Sequence, residues 1–328
     1  MNAVEIEQAI TDLAEQPFDA AKFPYAFLEA FGNKETTIKR LRAGASNKSD
    51  LGGVLQTNNI HIKVCTEGEV TKEAAAQAVQ LNPDLWQGHA ALAAVHTCLW
   101  EWDEAAISFG AALERNEPET RDYSAYAFYL LAVGKRDEAL HLVKDKAERK
   151  EGDPSAERIY PLFLYATRQF KEAERPLRNL HDKYETDWLI MLTLVLVFLA
   201  LERYELALKV NGRLINVMRH MAFEPEIWPG LTVLAYARLG GIHDKSARDK
   251  LTELEEYHKK TGHREPTQLA LMYMALGESE KAITELARGC DDRHPSMIWL
   301  HIWPIFDPLR DHPKFQELIG RMKLPALK

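Results

Sequence analysis

Two histidines lie at a spacing that can support metal chemistry. His89 and His96 are seven residues apart, so on a helix their imidazoles would share one face, as metal ligands sometimes do. No third ligand accompanies them in the sequence. We therefore interpret them as partly buried structural histidines. A second group, His294, Trp299, His301 and Trp303, is interpreted as aromatic packing beneath a C-terminal cap.

One charged group resembles the carboxylate and lysine set of metal-dependent nucleases. Asp145 is followed by Glu148, Arg149 and Lys150. Such nucleases need acidic groups that converge on a metal from strands, whereas this group falls at the end of a predicted helix among other charges. A charged outer helix face is the better interpretation.

No catalytic signature occurs in the sequence. We find no glycine-rich phosphate loop, no G-x-G-x-x-G turn, no H-E-x-x-H, no G-x-S-x-G elbow and no N/D-P-P-Y/F tetrapeptide. The chain is therefore predicted to be a non-enzyme with no catalytic residue, no metal and no cofactor. The alternative is an enzyme whose site has no recognisable motif.

The composition indicates a globular protein. The 328 residues are 46% hydrophobic and 27% charged, with a formal net charge of −8. That charge gives no global attraction to phosphate backbones or anionic lipid, so any nucleic-acid contact would be local and no membrane partner is expected.

The first ten residues do not read as a secretory signal, which favours the cytoplasm. Cys65, Cys98 and Cys290 are expected to be free thiols, with Cys98 packed.

The strongest pattern is an internal repeat. A bulky or long residue, two mostly acidic residues and an alanine recur, and the first four alanines are each 34 residues apart, followed by spacings of 40 and 35. The alanines are Ala105, Ala139, Ala173, Ala207, Ala247 and Ala282. Apolar segments with helical periodicity flank each copy, and a small residue there lets two helices approach closely. Gly134, Gly240 and Gly277 are predicted helix C-caps.

Over roughly residues 70–325 the sequence resembles the tetratricopeptide (TPR) family of tandem helical repeats. The resemblance implies an all-α solenoid of about six helix-turn-helix repeats whose inner helices line a concave groove. The tail, 305–328, resembles the closing helices of bacterial repeat arrays, which implies a signalling-type interaction module. The predicted domains are an N-terminal segment, 1–69, a repeat array, 70–304, and C-terminal capping helices, 305–328.

The family resemblance also implies which residues bind a partner. In that family the inner helix of each repeat points several positions into the groove, which here are Gln87, Arg121, Ser124, Arg158, Tyr165, Thr232, Tyr236 and Arg264. The three arginines suit fork-like pairing with a carboxylate and favour an acidic protein or peptide.

The fourth repeat is unusually apolar. The stretch Trp188–Leu201 has fourteen residues without a charge, too few to cross a bilayer, so we expect a helix buried on both faces. The resemblance places Leu189, Leu192, Leu196 and Leu199 at inward positions. Either the groove has a hydrophobic floor for a partner helix, or the N-terminal segment folds into it.

Residues 1–69 do not follow the repeat. We predict helices over 4–15, 23–31 and 35–42, a loop over 44–53 and an extended piece over 59–64. The run from Phe18 to Leu41, continuing to Asn59-Ile60-His61-Ile62, resembles the start of large bacterial restriction-modification DNA methyltransferases. Their catalytic and target-recognition regions lie downstream, where this chain has repeats, so no catalytic residue transfers.

Two functions follow from these patterns. The first is a non-enzymatic cytoplasmic scaffold that binds a protein or peptide in the repeat groove. The second is a nucleic-acid-associated accessory or regulatory protein that uses the N-terminal segment. Between residues 22 and 48, six basic side chains outnumber two acidic ones, so a local phosphate-facing patch and a solvated helix face are both open interpretations.

Overall fold

We analysed a computed structural model of the chain. It describes residues 82–84, 86–115, 124–148, 154–220, 229–241, 243–261 and 265–324, with scattered positions between 72 and 80. The elements predicted over 4–15, 23–31, 35–42, 44–53 and 59–64 lie outside the described residues. The chain divides into two compact units, which we call the N-terminal unit (1–129) and the C-terminal unit (130–328).

The described part of the chain is helical throughout and contains no strand, which confirms the all-α class. In chain order the helices are α1 Trp86–Cys98, α2 Trp102–Arg115, α3 Ser124–Ala132, α4 Arg136–Glu148, α5 Pro154–Ala166, α6 Phe170–Lys183, α7 Trp188–Ala200, α8 Tyr204–His220, α9 Gly230–Leu239, α10 His243–Thr261, α11 Pro266–Ala275, α12 Ser279–Asp291, a 3₁₀ helix Pro295–Ile298, α13 Trp299–Ile302, a second 3₁₀ helix Pro304–Leu309 and α14 Pro313–Arg321. A tetratricopeptide solenoid as such remains a prediction.

The six alanines of the sequence repeat are all buried, with exposures of 0% or 1%. Each lies in the first turns of a second helix, where the preceding acidic residues, such as Asp103 and Glu104 of α2, also lie. Acidic groups there stabilise the positive end of the helix macrodipole. The repeat therefore combines a helix start with a point of close packing.

Five of the six turns between paired helices share one geometry, and the α9–α10 turn, with Gly240 and Gly241 both at positive φ, differs. The residue five positions before the repeated alanine has a left-handed backbone at Trp100, Gly134, Arg168, Glu202 and Gly277. The next amide then donates to a carbonyl five residues back, as Lys135 N does to Leu130 O at 2.8 Å. This is the Schellman arrangement, in which glycine avoids the steric cost of a side chain. The predicted caps at Gly134, Gly240 and Gly277 are confirmed by their positive φ angles.

In the C-terminal unit the helical pairs stack in order along the chain. The first helices contact one another in series, α5 with α7, α7 with α9 and α9 with α11. Each second helix also contacts the first helix of the next pair, as α6 contacts α7 and α8 contacts α9. The first helices therefore form one continuous face of this unit.

Helix α7 is buried on all sides, as the sequence predicts. Every residue from Leu189 to Leu199 is buried, and the inward leucines are 3–8% exposed. Asp187 caps the helix by accepting hydrogen bonds from the amides of Leu189 and Ile190, both at 3.1 Å. The cover includes α5, α6, α8, α9 and the second 3₁₀ helix. Among the described residues, no helix is both long and apolar enough to span a membrane.

Candidate binding site

His89 and His96 make hydrogen-bonding contacts within the N-terminal unit. His89 is 9% exposed and its Nε2 lies 2.8 Å from the carbonyl of Pro83. His96 is buried, with its Nδ1 2.6 Å from a carboxylate oxygen of Glu101. Lys72 donates to the same carboxylate at 2.7 Å. Both histidines are more deeply buried than the partial burial expected from the sequence. Cys98 is a buried free thiol that packs with Ala91 and Val95.

Burial disfavours the charged form of Glu101, but the hydrogen bonds from Lys72 and His96 outweigh it. The pKa of Glu101 is therefore lowered from its ordinary value. The carboxylate remains charged at neutral pH. It ties the turn after α1 to the residues that precede that helix.

The remaining sequence candidates also fall on structural positions. Trp299 and Trp303 pack with ring centroids 5.4 Å apart, and His301 is 2% exposed, so these side chains are packed together in the interior. Asp145 and Glu148 lie at the end of α4, where Glu148 pairs with Lys144 at 3.8 Å. Arg149 and Lys150 lie outside the described residues. Within the described part of the chain, no group of three His, Cys, Asp or Glu side chains is placed to hold a metal ion.

The predicted partner-binding residues differ in their surroundings. Arg121 and Arg264 lie outside the described residues, as does the side chain of Gln87 in α1. Ser124 begins α3 and is half-buried. Thr232 accepts a hydrogen bond from Asn211 Nδ2 at 2.7 Å, and Tyr236 stacks on His243 with centroids 5.2 Å apart.

Two predicted groove residues are committed to contacts within the C-terminal unit. Arg158 Nη1 donates to Asp187 Oδ2 at 2.7 Å, so this arginine pairs with the carboxylate that caps α7. Tyr165 is 1% exposed and packs against Phe170 and Trp303, each with centroids 5.6 Å away. Burial raises the pKa of Tyr165 far above its ordinary value. Its side chain therefore lies in the core and does not line an open surface.

A segment near the C-terminus packs on Tyr165 and so covers part of the face formed by the first helices. We call residues 303–310 the C-terminal strap. Its Trp303 packs on Tyr165 of α5, and its second 3₁₀ helix contacts α7. Asp307 accepts from Arg168 through two parallel hydrogen bonds, at 2.9 Å from Nε and 2.6 Å from Nη2. The two partners are 139 residues apart in the sequence.

The strap brings together a group of charges that the sequence analysis missed. Asp307 also accepts a hydrogen bond from Nε of Arg310, so one carboxylate accepts hydrogen bonds from two guanidinium groups. Burial lowers the pKa of Arg310, and the hydrogen bond to Asp307 opposes that shift. The sequence carries no signal that singles this group out, because the repeat position of Arg168 is also occupied by Trp100 and Glu202.

Comparison with known families gives one informative match. A family model described as the N-terminal domain of MmeI, a restriction-modification enzyme, matches residues 1–91. The match contains the run 18–62 that resembles restriction-modification methyltransferases, and it extends past residue 69 into α1. No tetratricopeptide model is among the family matches. The curated proteins contain no match to this chain.

Proposed function

We propose that the protein is a nucleic-acid-associated accessory or regulatory protein related to restriction-modification enzymes, with residues 1–91 as the part directed to DNA. The similarity of these residues to the N-terminal domain of MmeI carries the proposal. It favours the DNA-associated function over a peptide-binding scaffold. We further propose that the chain is not itself an enzyme, because its sequence contains no recognised catalytic motif.

The charge distribution supports a local DNA contact. The whole chain carries a formal charge of −8, so a uniform attraction to DNA is absent. Between residues 22 and 48, however, six basic residues stand against two acidic ones. Phosphate contacts by lysine and arginine release counterions and make affinity fall with salt. The proposal therefore requires salt-dependent binding that originates in this segment.

The test is duplex DNA binding by the full chain, measured by fluorescence anisotropy at several salt concentrations. The variant replaces Lys39, Arg40 and Arg42 with alanine. If each contacts a phosphate, the slope of log affinity against log salt should decrease by roughly 1 per residue.

A matched control replaces one lysine and two arginines on exposed positions of the C-terminal unit, Lys171, Arg175 and Arg213. This control should bind DNA as the unsubstituted chain does. An equal loss of DNA affinity in both triple variants, or no DNA binding by the unsubstituted chain, would contradict the proposal.

A second candidate is that the helical array recruits a partner protein. The continuous face of first helices in the C-terminal unit favours it, because the resemblance to tetratricopeptide repeats assigns partner binding to that face. Tyr236 is half-buried on α9 and provides a probe. Cross-linking in a bacterial lysate should recover a protein with the full chain and lose it with Tyr236→Glu. Equal recovery by both chains would contradict binding at this face.

A further inference from the structure

The C-terminal strap, residues 303–310, is a short segment whose two ends are held by the last helical pair. On one side, the first 3₁₀ helix contacts α11 and α12. On the other side, α14 contacts α12, where Lys314 pairs with Glu280 at 2.8 Å and Arg321 pairs with Asp291. These anchoring contacts involve no residue of the strap. Opening of the strap therefore does not require the anchors to unfold.

The strap lies on a face that the sequence assigns to a partner. Trp303 packs on Tyr165 with ring centroids 5.6 Å apart, and the second 3₁₀ helix contacts α7. The resemblance to tetratricopeptide repeats predicts that Tyr165 and the leucines of α7 face a bound protein segment. Part of that face is occupied by the chain itself. The strap therefore indicates which chemistry the face accepts.

The polar contact of the strap involves partly exposed side chains. Arg168 donates from Nε and Nη2 to the two carboxylate oxygens of Asp307, at 2.9 and 2.6 Å. Its third nitrogen, Nη1, donates to the carbonyl of Ala166 at 3.0 Å, so a contact within its own turn orients the guanidinium group. The side chains of Arg168 and Asp307 are 28% and 36% exposed. The fork of Arg168 is therefore oriented for a carboxylate and accessible from solvent.

An ion pair of this kind can exchange its carboxylate. Pairs that are partly open to water contribute little net free energy, because both partners are well solvated when they separate. A ligand carboxylate that replaces Asp307 regains two hydrogen bonds in the same geometry. The apolar contact is harder to replace, since Phe306 and Leu309 are only 4% and 2% exposed. A competing segment must therefore bring apolar side chains as well as a carboxylate.

We propose that the strap is an autoinhibitory segment in the partner site, and that the partner is a protein segment with an aromatic residue followed four positions later by a carboxylate. Trp303 and Asp307 have this spacing. The inference rests on the second candidate function, partner recruitment by the face of first helices. A second copy of the chain is not the expected partner, because both ends of the strap are fixed to its own last helical pair. Partner binding and strap closure are mutually exclusive, so the free chain keeps the site covered.

The test uses a fluorescent peptide that copies residues 301–312, and its anisotropy is measured as the full chain is added. In the unsubstituted chain the tethered strap competes at a high effective concentration, so the peptide should bind weakly. Asp307→Asn keeps the shape of the strap and removes its charge. This variant should bind the peptide roughly fivefold more tightly, the factor expected when a partly exposed bidentate pair is lost from the closed state.

The variant Arg168→Gln separates competition from a general loosening of the fold. It weakens the strap by breaking the same pair, but it also removes the donors for the carboxylate of the peptide. The peptide should therefore bind this variant no more tightly than it binds the unsubstituted chain. If the pair only stabilised the fold, Asp307→Asn and Arg168→Gln would change peptide affinity equally. Equal changes would overturn the proposal.

Asp311→Asn is the matched control, because Asp311 is an exposed aspartate just beyond the strap. It should leave the peptide affinity unchanged. A second peptide carries asparagine at the position that copies Asp307, and it should bind the Asp307→Asn chain roughly fivefold more weakly than the first peptide. Both peptides are compared on one chain, so this result does not depend on how a substitution affects folding. Equal affinities for the two peptides would refute recognition of the carboxylate.

Failure of the strap proposal and failure of partner recruitment give different results. If the Asp307→Asn chain did not bind the peptide, the strap proposal would be wrong, whereas the cross-linking comparison with Tyr236→Glu would stand. Peptide binding without a partner that depends on Tyr236 would support the covered site and count against recruitment through α9. A dimer of the Asp307→Asn chain in size-exclusion chromatography would show that the strap exchanges between copies, contrary to the proposal.

Discussion

At the scale of single residues, five of the helical hairpins turn at the residue five positions before the repeated alanine, where the backbone is left-handed. Gly134 and Gly277 fill this position without a side chain, whereas Glu202 fills it with a φ of 59°. The Glu202 side chain is exposed. Its left-handed conformation therefore carries a steric cost that no described contact of its side chain offsets.

Replacing Glu202 with glycine should stabilise the protein. A left-handed L-residue costs about 1–2 kcal/mol, which glycine removes. The greater freedom of glycine in the unfolded chain destabilises the folded state by about 0.5–1 kcal/mol and offsets part of this gain. A net gain of about 0.5–1 kcal/mol in the free energy of unfolding is expected from urea denaturation. Gly134→Ala is the reverse substitution at the equivalent turn and should destabilise. Shifts of the same sign in both variants would refute the steric explanation.

The Glu101 carboxylate gives stability a defined pH dependence. Its folded pKa lies below the ordinary value of 4.5, so its contribution is complete above that pH and is lost as pH falls through the lowered pKa. The difference in melting temperature between the original chain and Glu101→Gln should therefore be constant near neutrality and shrink in acid. A difference that persists unchanged at pH 3 would contradict the assignment.

At the scale of elements, two helical glycines have opposite surroundings. A Cβ on Gly289 of α12 would lie 2.7 Å from Met297 Sδ and 2.7 Å from Pro266 Cγ. A Cβ on Gly212 of α8 would meet nothing within 4 Å. The same substitution therefore tests close packing at one site and helix propensity at the other.

Gly289→Ala should destabilise the protein by about 1–3 kcal/mol, because an overpacked α12 must move away from α11 and the first 3₁₀ helix. Gly212→Ala should stabilise it by about 0.5–1 kcal/mol through helix propensity. Both changes in the free energy of unfolding should be measured from the shift of the denaturant midpoint, with the m-value unchanged. If Gly289→Ala were neutral, the close contact would not be a feature of the folded protein.

The elements also show what could be predicted from the sequence. The repeated alanines and the fully apolar α7 were identifiable because both patterns are local and periodic. The cover over α7 was not, since part of it comes from the strap, about 100 residues downstream, and carries no periodic signal. For the same reason Tyr165 is predicted to line a groove, although Trp303 of the strap packs on it. Arg158 differs, because its partner Asp187 lies only 29 residues further along the chain.

At the scale of the whole molecule, the Arg168–Asp307 pair links positions 139 residues apart within the C-terminal unit. A double-mutant cycle with Arg168→Ala and Asp307→Ala should give a coupling free energy of about 1 kcal/mol, at the upper end for partly exposed pairs because the contact is bidentate. The Lys144–Glu148 pair, within one helix at 3.8 Å, is the control and should give about 0.3–0.5 kcal/mol. Equal couplings would show that the strap is not held by this pair.

The strap also affects how the chain folds as it is made. About 100 residues separate the end of α7 from Trp303, which corresponds to about 5–20 s of synthesis at typical translation rates. During that interval the apolar face of α5 and α7 has emerged, whereas the segment that completes its cover does not yet exist. The nascent chain therefore presents to chaperones and partners a surface that the finished protein conceals.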